Sequence, residues 1–213
     1  LPGPRTACRA RGQHTTGGLG HAEGVATSQL WLVRHGETEW SASGRHTGST
    51  DIPLTEVGRK SAAELATTLS GRPFAAVLTS PLARAYDTCV LAGLGDRAVV
   101  TDDLREWDYG DFEGVTTEEI RQQHPGWTVF TDGCPGGETP DQVAARADRV
   151  VAAVRDTEGD TVAFSHGHLL RVLAARWVGL PPQAGAHLAL ATASISVLGW
   201  EREIPVITSW DLT

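Results

Sequence analysis

From residue 29 onward, short apolar runs alternate with longer stretches in which apolar residues recur every three or four positions. Short apolar runs that end at Gly, Pro or polar residues are typical of buried strands, and the longer period is typical of amphipathic helices. The predicted strands are residues 29–33, 75–80, 97–101, 160–165, 191–201 and 203–210. The predicted helices are residues 56–70, 81–91, 118–124, 141–156 and 169–179.

Polar residues in front of two of these helices predict where the helices begin. Thr55 is expected to cap the first helix with its side-chain oxygen. Ser80 is expected to cap the second, with Pro81 at the first helical position, where a missing N–H does no harm. Residues 102–116 are predicted to form a loop, and residues 125–137 an irregular excursion.

The alternation of strands with helices indicates the α/β class. We expect a three-layer α/β/α sandwich around a mostly parallel central sheet, because βαβ units of this length place helices on both faces of the sheet. The last two strands follow each other without an intervening helix and are expected at the sheet edge. Ligands bind beyond the carboxyl ends of the strands in such sheets, so the candidate site residues are those that follow a strand.

The first 28 residues differ in composition from the rest of the chain. They are rich in Gly, Thr and Arg, contain few large apolar residues and show no periodicity, which predicts a disordered N-terminal tail. Residues 29–213 are predicted to form a single domain, since their length fits the usual ~100–200 residues.

Composition narrows the classes of function. The formal net charge of -8 disfavours nucleic acid and anionic membranes as partners. No apolar run approaches the ~20 residues of a membrane span. Lys60 is the only lysine, so the chain lacks the GK[ST] sequence of a P-loop. The three cysteines are odd in number and form no CxxC, which disfavours a disulfide framework and favours a reducing cytoplasm.

Three polar clusters follow predicted strands: residues 34–36, with the sequence Arg-His-Gly, residues 80–84, and residues 165–167, with the sequence Ser-His-Gly. Carboxyl ends of parallel strands share one edge of the sheet, so the two histidines and Arg84 can surround a single phosphate. Each cluster is ordinary when taken alone, because a strand-end histidine often bonds a carbonyl and a helix arginine is usually solvated. Their occurrence together and in this order favours a catalytic anion site.

These clusters lie within longer motifs through which the chain resembles the histidine phosphatase superfamily, which has the phosphoglycerate mutase-like fold. The motifs span nearly all of residues 29–199 and are LVRHGETEW (32–40), TGSTDIPLTEVGR (47–59), TSPLARAYDT (79–88), LREWDYGDFEG (104–114) and FSHGHLLR (164–171). Within the superfamily, EWDYGDFEG and the later DGCPGGE are similar to the branch of bacterial acid phosphatases and sedoheptulose-bisphosphatase-like enzymes.

The resemblance implies a role for each site residue. His35 would attack phosphorus and form a phosphohistidine intermediate. Glu106 would protonate the leaving oxygen and then deprotonate the attacking water, with His166 as the third catalytic residue. The groups that would hold the phosphoryl oxygens are Arg34, Arg84, His166 and Gly167. The groups expected on the substrate side are Ser41, Thr47, Tyr109, His168 and Arg171. Neither a metal nor another cofactor is required in this scheme.

The predicted function is therefore hydrolysis of small phosphorylated metabolites, such as sugar phosphates, by a metal-independent phosphomonoesterase. An acidic pH optimum is expected, because Glu106 must still donate a proton in mild acid while His35 must stay unprotonated in order to attack. The partner is a small phosphorylated substrate, and a homo-oligomer is left open.

Three alternatives are left open. The first is a phosphoglycerate mutase-type phosphotransferase, although the resemblance would then place an Asn at Ser41, an Arg at Trp107 and a longer basic segment after Glu106. The second is a zinc hydrolase that lacks the HExxH motif. Its ligands would be His35, His46, His166 and His168. The third is a binding protein that keeps the fold without turnover.

Overall fold

The computed structural model describes Gly3 and residues 28–213, so the prediction of a disordered tail falls almost entirely outside the described residues. The strands are β1 (Leu30–Arg34), β2 (Ala76–Thr79), β3 (Ala98–Val100), β4 (Thr161–Ser165), β5 (Ile195–Glu201) and β6 (Ile204–Leu212). The helices are α1 (Glu39–Ala42), α2 (Glu56–Glu64), α3 (Ala66–Leu69), α4 (Ala83–Leu91), α5 (Thr117–Gln123), α6 (Val129–Asp132), α7 (Pro140–Arg155) and α8 (Gly167–Trp177).

The six strands form one sheet in the order β3-β2-β4-β1-β5-β6. The pairs β2–β3, β2–β4 and β1–β4 are parallel, whereas β1–β5 and β5–β6 are antiparallel. The prediction of a mostly parallel sheet with the last two strands toward one edge is therefore confirmed.

Two apolar cores lie on opposite faces of this sheet, and β1 contributes side chains to both of them. Leu30 and Leu32 point into the core covered by α7 and α8. Trp31 and Val33 point into the core covered by α3 and α4. Because side chains alternate across a strand, a strand buried on both faces has to be apolar throughout. The three-layer α/β/α arrangement predicted from the sequence is confirmed.

Helix beginnings were predicted less well than strands. Thr55 does cap α2, since its side-chain oxygen accepts from the N–H of Gly58 at 3.0 Å. The predicted cap at Ser80 with Pro81 at the first helical position is wrong, because α4 begins at Ala83. The Ser80 hydroxyl instead contacts His166 Nε2 at 2.8 Å, a contact across the sheet that local sequence does not reveal.

Several elements differ from the predicted boundaries. The predicted helix 56–70 is divided into α2 and α3, and the predicted loop 102–116 contains two short 3₁₀ helices. The excursion 125–137 contains α6, and α8 begins two residues before its predicted start at residue 169. Within residues 28–213, no helix is both long enough and apolar enough to cross a membrane.

Candidate active site

The site is built where β1 and β4 end side by side. Arg34 pairs with Ser165 in the parallel register, and the next N–H, that of His35, donates to the Ser165 carbonyl at 3.0 Å. His166 follows β4 directly, so the rings of His35 and His166 lie with their centroids 5.2 Å apart. The expectation that two strand ends bring these histidines together is met by this geometry.

The hydrogen bonding of His35 fixes which ring nitrogen can react. Its Nδ1 lies 2.7 Å from the carbonyl oxygen of Gly36, and a carbonyl can only accept, so Nδ1 carries the proton. The lone pair of the neutral ring is then on Nε2. Burial, followed by the charges of Arg34 and Arg84, lowers the pKa of His35 well below its usual value. His35 is thus a neutral imidazole with an available nucleophilic nitrogen.

Arg84 and His166 form a fully buried pair beside His35. The Nε–H of Arg84 donates to His166 Nδ1 at 3.2 Å, so the proton of the neutral His166 ring lies on Nε2 and points to Ser80 Oγ at 2.8 Å. Burial, followed by the charges of Arg84 and His35, lowers the pKa of His166 well below its usual value. Arg84 therefore sets the tautomer of His166 and adds to the effect of burial in keeping the ring uncharged.

Arg34 presents a cation with an available donor. One terminal nitrogen of its guanidinium donates to the Leu190 carbonyl. Its Nε is buried, and no acceptor lies within hydrogen-bond distance of it in the part of the chain that the structure describes. A Cβ on Gly167 would lie 3.3 Å from both Cζ and Nε of Arg34, so glycine there leaves the guanidinium its space. A buried donor without an acceptor is suited to an anionic ligand.

Glu106 is anchored at the beginning of α8. Its carboxylate accepts from the N–H groups of Trp107 at 2.9 Å, Leu169 at 3.0 Å and His168 at 3.1 Å. These bonds fix the carboxylate in the wall of the cavity next to His35. A carboxyl group at this place can give a proton to a leaving group when it is protonated and take one from water when it is ionised.

A cavity of about 250 Å³ opens in front of His35. All the residues predicted on the substrate side line it, namely Ser41, Thr47, Tyr109, His168 and Arg171. Of the predicted catalytic and phosphate-binding residues, His35, Arg34, Glu106 and Gly167 also line it. Arg84 and His166 are placed behind this surface, where both have no exposed area.

The cavity also has lining residues for which the sequence analysis assigned no substrate-side role, namely Gly44, Arg45, His46, Thr117 and Leu190. In the sequence, His46 is a candidate only for the zinc alternative. It directly precedes the TGSTDIPLTEVGR motif, and that adjacency is the signal that could have identified it.

His46, Tyr109 and His168 form an aromatic cluster in the cavity wall, in which His46 and Tyr109 are buried and His168 is half-buried. The ring centroid of His46 lies 4.7 Å from that of Tyr109 and 5.7 Å from that of His168. The Tyr109 hydroxyl is hydrogen-bonded to His168 Nδ1. Burial lowers the pKa of His46 to about 4 and that of His168 well below its usual value. This part of the wall therefore offers uncharged hydrogen-bonding groups.

The four histidines of the zinc alternative do not converge on one point. They form two ring pairs, His35 with His166 at 5.2 Å and His46 with His168 at 5.7 Å between centroids. Among residues 28–213, no group of three or more His, Cys, Asp or Glu side chains is placed to hold a metal ion. The described geometry gives the zinc alternative no ligand set.

Two further arginines complete the cavity wall. Arg45 donates from one terminal nitrogen to the Gly114 carbonyl at 2.8 Å. Arg171 donates from Nε to the Gly185 carbonyl at 2.9 Å, and its guanidinium carbon lies 4.5 Å from the ring centroid of Phe130. Both guanidinium groups are thus held by backbone carbonyls, and both arginines line the cavity.

Comparisons with known proteins agree with this geometry. The family model described as "Histidine phosphatase superfamily (branch 1)" matches residues 30–213. An acid phosphatase of Mycobacterium tuberculosis is 45% identical over 197 residues, which cover 89% of this chain and 95% of that protein. The sedoheptulose 1,7-bisphosphatase of Saccharomyces cerevisiae is 39% identical over 190 residues, covering 74% and 70% respectively. A solved structure of a Mycobacterium tuberculosis open reading frame superposes with a TM-score of 0.84 at 43% identity, covering 87% of this chain and 98% of that one.

Proposed function

The chain belongs to the histidine phosphatase superfamily (branch 1), as its motifs predicted, and from that premise we propose that residues 29–213 hydrolyse small phosphate monoesters without a metal, through phosphohistidine at His35. The observation that carries the proposal is the bond from His35 Nδ1 to the Gly36 carbonyl. It leaves Nε2 of a neutral, buried ring as the reacting nitrogen at the cavity.

The first step transfers the phosphoryl group to the protein. His35 Nε2 forms a bond to phosphorus while the bond from phosphorus to the ester oxygen breaks. Glu106 gives its proton to that oxygen, so the alcohol leaves uncharged. The phosphorylated ring becomes cationic, and the Gly36 carbonyl that accepts from Nδ1 stabilises this charge.

The second step returns the protein to its starting state. A water molecule attacks phosphorus, Glu106 takes the proton of that water, and the bond from Nε2 to phosphorus breaks. Inorganic phosphate leaves, and both His35 and Glu106 recover their original protonation states.

Cationic groups stabilise the charge that develops on the phosphoryl oxygens. Arg34 lines the cavity, and its buried Nε–H, which has no acceptor among residues 28–213, is proposed to donate to the phosphoryl group. Arg84 makes four hydrogen bonds to protein acceptors, which leaves one of its five N–H donors for the phosphoryl group. Gly167 completes the lining beside Arg34, and His166, whose two ring nitrogens are engaged by Arg84 and Ser80, is proposed to act from behind by holding Arg84.

The cavity supports a substrate class of small, hydroxylated phosphate esters such as sugar phosphates. The uncharged cluster of His46, Tyr109 and His168 suits neutral hydroxyl groups. Arg45 and Arg171 suit a second anionic group on the same molecule. The yeast relative is by name a sugar bisphosphatase, which agrees with such a substrate.

Net hydrolysis is supported over the mutase alternative by Trp107. At this position the resemblance would place an arginine that helps to hold a second anion. Trp107 is fully buried, and its indole N–H donates to the Glu138 carbonyl at 2.9 Å. It thus supplies no cation to the cavity. An intermediate with two phosphates therefore lacks the cation that the resemblance would place at this position, which favours transfer to water.

The cytoplasm is the proposed compartment. Cys89 and Cys134 are buried free thiols. Free thiols in both described positions agree with a reducing environment.

The experiment is an assay of inorganic phosphate release from a panel of sugar monophosphates, sugar bisphosphates and phosphoglycerates. We expect release from several members, with His35→Ala lowering the rate by several orders of magnitude. His187→Ala is the matched control, because His187 is an exposed histidine outside the cavity. Release that is equal in wild type and His35→Ala would overturn the proposal.

A further inference from the structure

Among the described residues, Glu113 makes no hydrogen bond or ion pair with His35 or Arg84. It does bind the backbone segment to which Arg84 is hydrogen-bonded. We propose that Glu113 is a positioning residue, which holds Arg84 and through it His166 in the arrangement that phosphoryl transfer requires. This inference rests on the proposed function for its catalytic consequence, while its structural part stands on the contacts alone.

The carboxylate of Glu113 holds the segment 47–50 by its N–H groups. The N–H of Gly48 lies 2.9 and 3.0 Å from the two carboxylate oxygens. The N–H of Thr50 lies 3.1 Å from Oε1. A carboxylate that accepts from backbone N–H groups makes charge-assisted hydrogen bonds, which are stronger than neutral ones.

The guanidinium of Arg84 holds the same segment from its carbonyl side. One terminal nitrogen donates to the carbonyls of Thr47 and Gly48, both at 2.9 Å. The other donates to the Thr50 carbonyl at 3.0 Å. The Nε–H donates to His166 Nδ1 at 3.2 Å. Three of the four bonds that fix Arg84 therefore end on a segment that Glu113 orients.

The Thr47 carbonyl and the Gly48 N–H belong to a single peptide group. That group donates to the anion, Glu113, and accepts from the cation, Arg84. Its dipole is aligned between the two charges, and hydrogen bonds in such a chain polarise and strengthen each other. The peptide group bridges the Glu113 carboxylate and the Arg84 guanidinium, which are not hydrogen-bonded to each other.

Close packing leaves this bridging peptide group little freedom to rearrange. A Cβ on Gly48 would lie 2.6 Å from Glu113 Oε2 and 2.6 Å from the Trp107 carbonyl oxygen. The backbone at Gly48 is thus pressed against its neighbours, and the place of the segment depends on the carboxylate. Burial lowers the pKa of Arg84, and Glu113 is among the acidic groups that oppose this effect.

Glu113→Gln is the test, because it preserves side-chain shape and replaces one accepting oxygen with a group that cannot accept. We expect kcat to fall about tenfold or more with a smaller change in KM, since charge-assisted bonds that orient a transition-state contact are lost. The control is Glu119→Gln. Glu119 also accepts from a backbone N–H, that of Thr116 at 2.8 Å, but it lies at the beginning of α5. This control should leave kcat unchanged.

A double-mutant cycle separates positioning from a general structural role. In an Arg84→Lys background, Glu113→Gln should change kcat by less than about twofold, because the group that it positions is already gone. An equal loss in both backgrounds overturns the inference. An unchanged kcat in folded Glu113→Gln would also overturn the inference.

A readout independent of turnover keeps the inference distinct from the proposed function. In ¹⁵N-labelled protein, the Nε–H resonance of Arg84 is identified by its loss in Arg84→Lys. It should shift in Glu113→Gln and stay in place in Glu119→Gln, and an unshifted resonance overturns the inference. Absence of His35-dependent turnover in wild type would instead refute the proposed function, and the resonance would still decide the positioning claim.

Discussion

Replacing His46 by glutamine should make folding less sensitive to acid. The His46 ring is buried in the cavity wall, where Nε2 contacts Thr117 Oγ1 at 3.2 Å, and burial lowers its pKa from 6.5 to about 4. Glutamine can replace the contact with Thr117 but does not titrate. The variant therefore removes one proton-binding group whose affinity for protons differs between the folded and unfolded states.

The size of the effect follows from the two pKa values. The unfolded imidazole takes up a proton near pH 6.5, whereas folded His46 stays neutral down to about pH 4. Between these values the unfolded state binds one proton more, so the free energy of unfolding falls by about 1.4 kcal/mol per pH unit of acidification. Above pH 6.5 His46 is neutral in both states, so it does not lower the free energy of unfolding. The free energy of unfolding has fallen by about 3 kcal/mol when the pH reaches the folded pKa of about 4.

The assay is urea unfolding at a series of pH values between 7 and 4.5. Loss of ring packing against Tyr109 will lower the stability of His46→Gln at every pH, so the slope against pH is compared, not the absolute value. The slope should be smaller than that of wild type by about 1 kcal/mol per pH unit. His187→Gln is the control, since it leaves the number of buried imidazoles unchanged. Identical slopes for wild type and His46→Gln would refute the reasoning.

His35, His166 and His168 act in the same direction, because burial lowers the pKa of each of them well below 6.5. Each of these rings takes up a proton at a higher pH in the unfolded state than in the folded state. The free energy of unfolding therefore decreases as the pH falls below 6.5. His35 itself stays unprotonated into the acidic range. We therefore expect the acidic limb of the activity profile to follow loss of the folded state, measured by circular dichroism at the same pH values.

Three further predictions concern the reaction. Glu106→Gln should slow hydrolysis of alkyl phosphates strongly and of nitrophenyl phosphate weakly, since a good leaving group needs no proton; equal slowing in steady-state assays would remove the general-acid role. Excess EDTA should leave the rate of phosphate release unchanged, and a loss that zinc restores would favour a zinc hydrolase. Conversion of 3-phosphoglycerate to 2-phosphoglycerate should be much slower than phosphate release on the same preparation, and comparable rates would favour the mutase.

The fold and the strand-end histidines could be predicted because their signals are local. The apolar run before Arg34 and the one before Ser165 identify buried strands without reference to the rest of the chain. Parallel pairing then brings the residues that follow, His35 and His166, to one edge of the sheet. The family motifs pointed to the same residues.

Contacts between loops could not be predicted in this way. Ser80 looks like a helix cap in sequence, but its hydroxyl is engaged by His166, 86 residues away. Glu113 looks like a loop carboxylate, and its partners lie 65 and 63 residues away along the chain. His46 has no periodic or capping signal, because its position in the cavity wall is fixed by packing against Tyr109. Such roles depend on tertiary placement.

Trapping of the covalent intermediate tests the central claim most directly. Substrate labelled with ³²P is mixed with the protein, and the reaction is quenched in base, because a phosphorus–nitrogen bond hydrolyses in acid. We expect transient label on the peptide that contains His35, released by acid and absent in folded His35→Ala. Turnover without any labelled protein, or label on a residue other than His35, would contradict it.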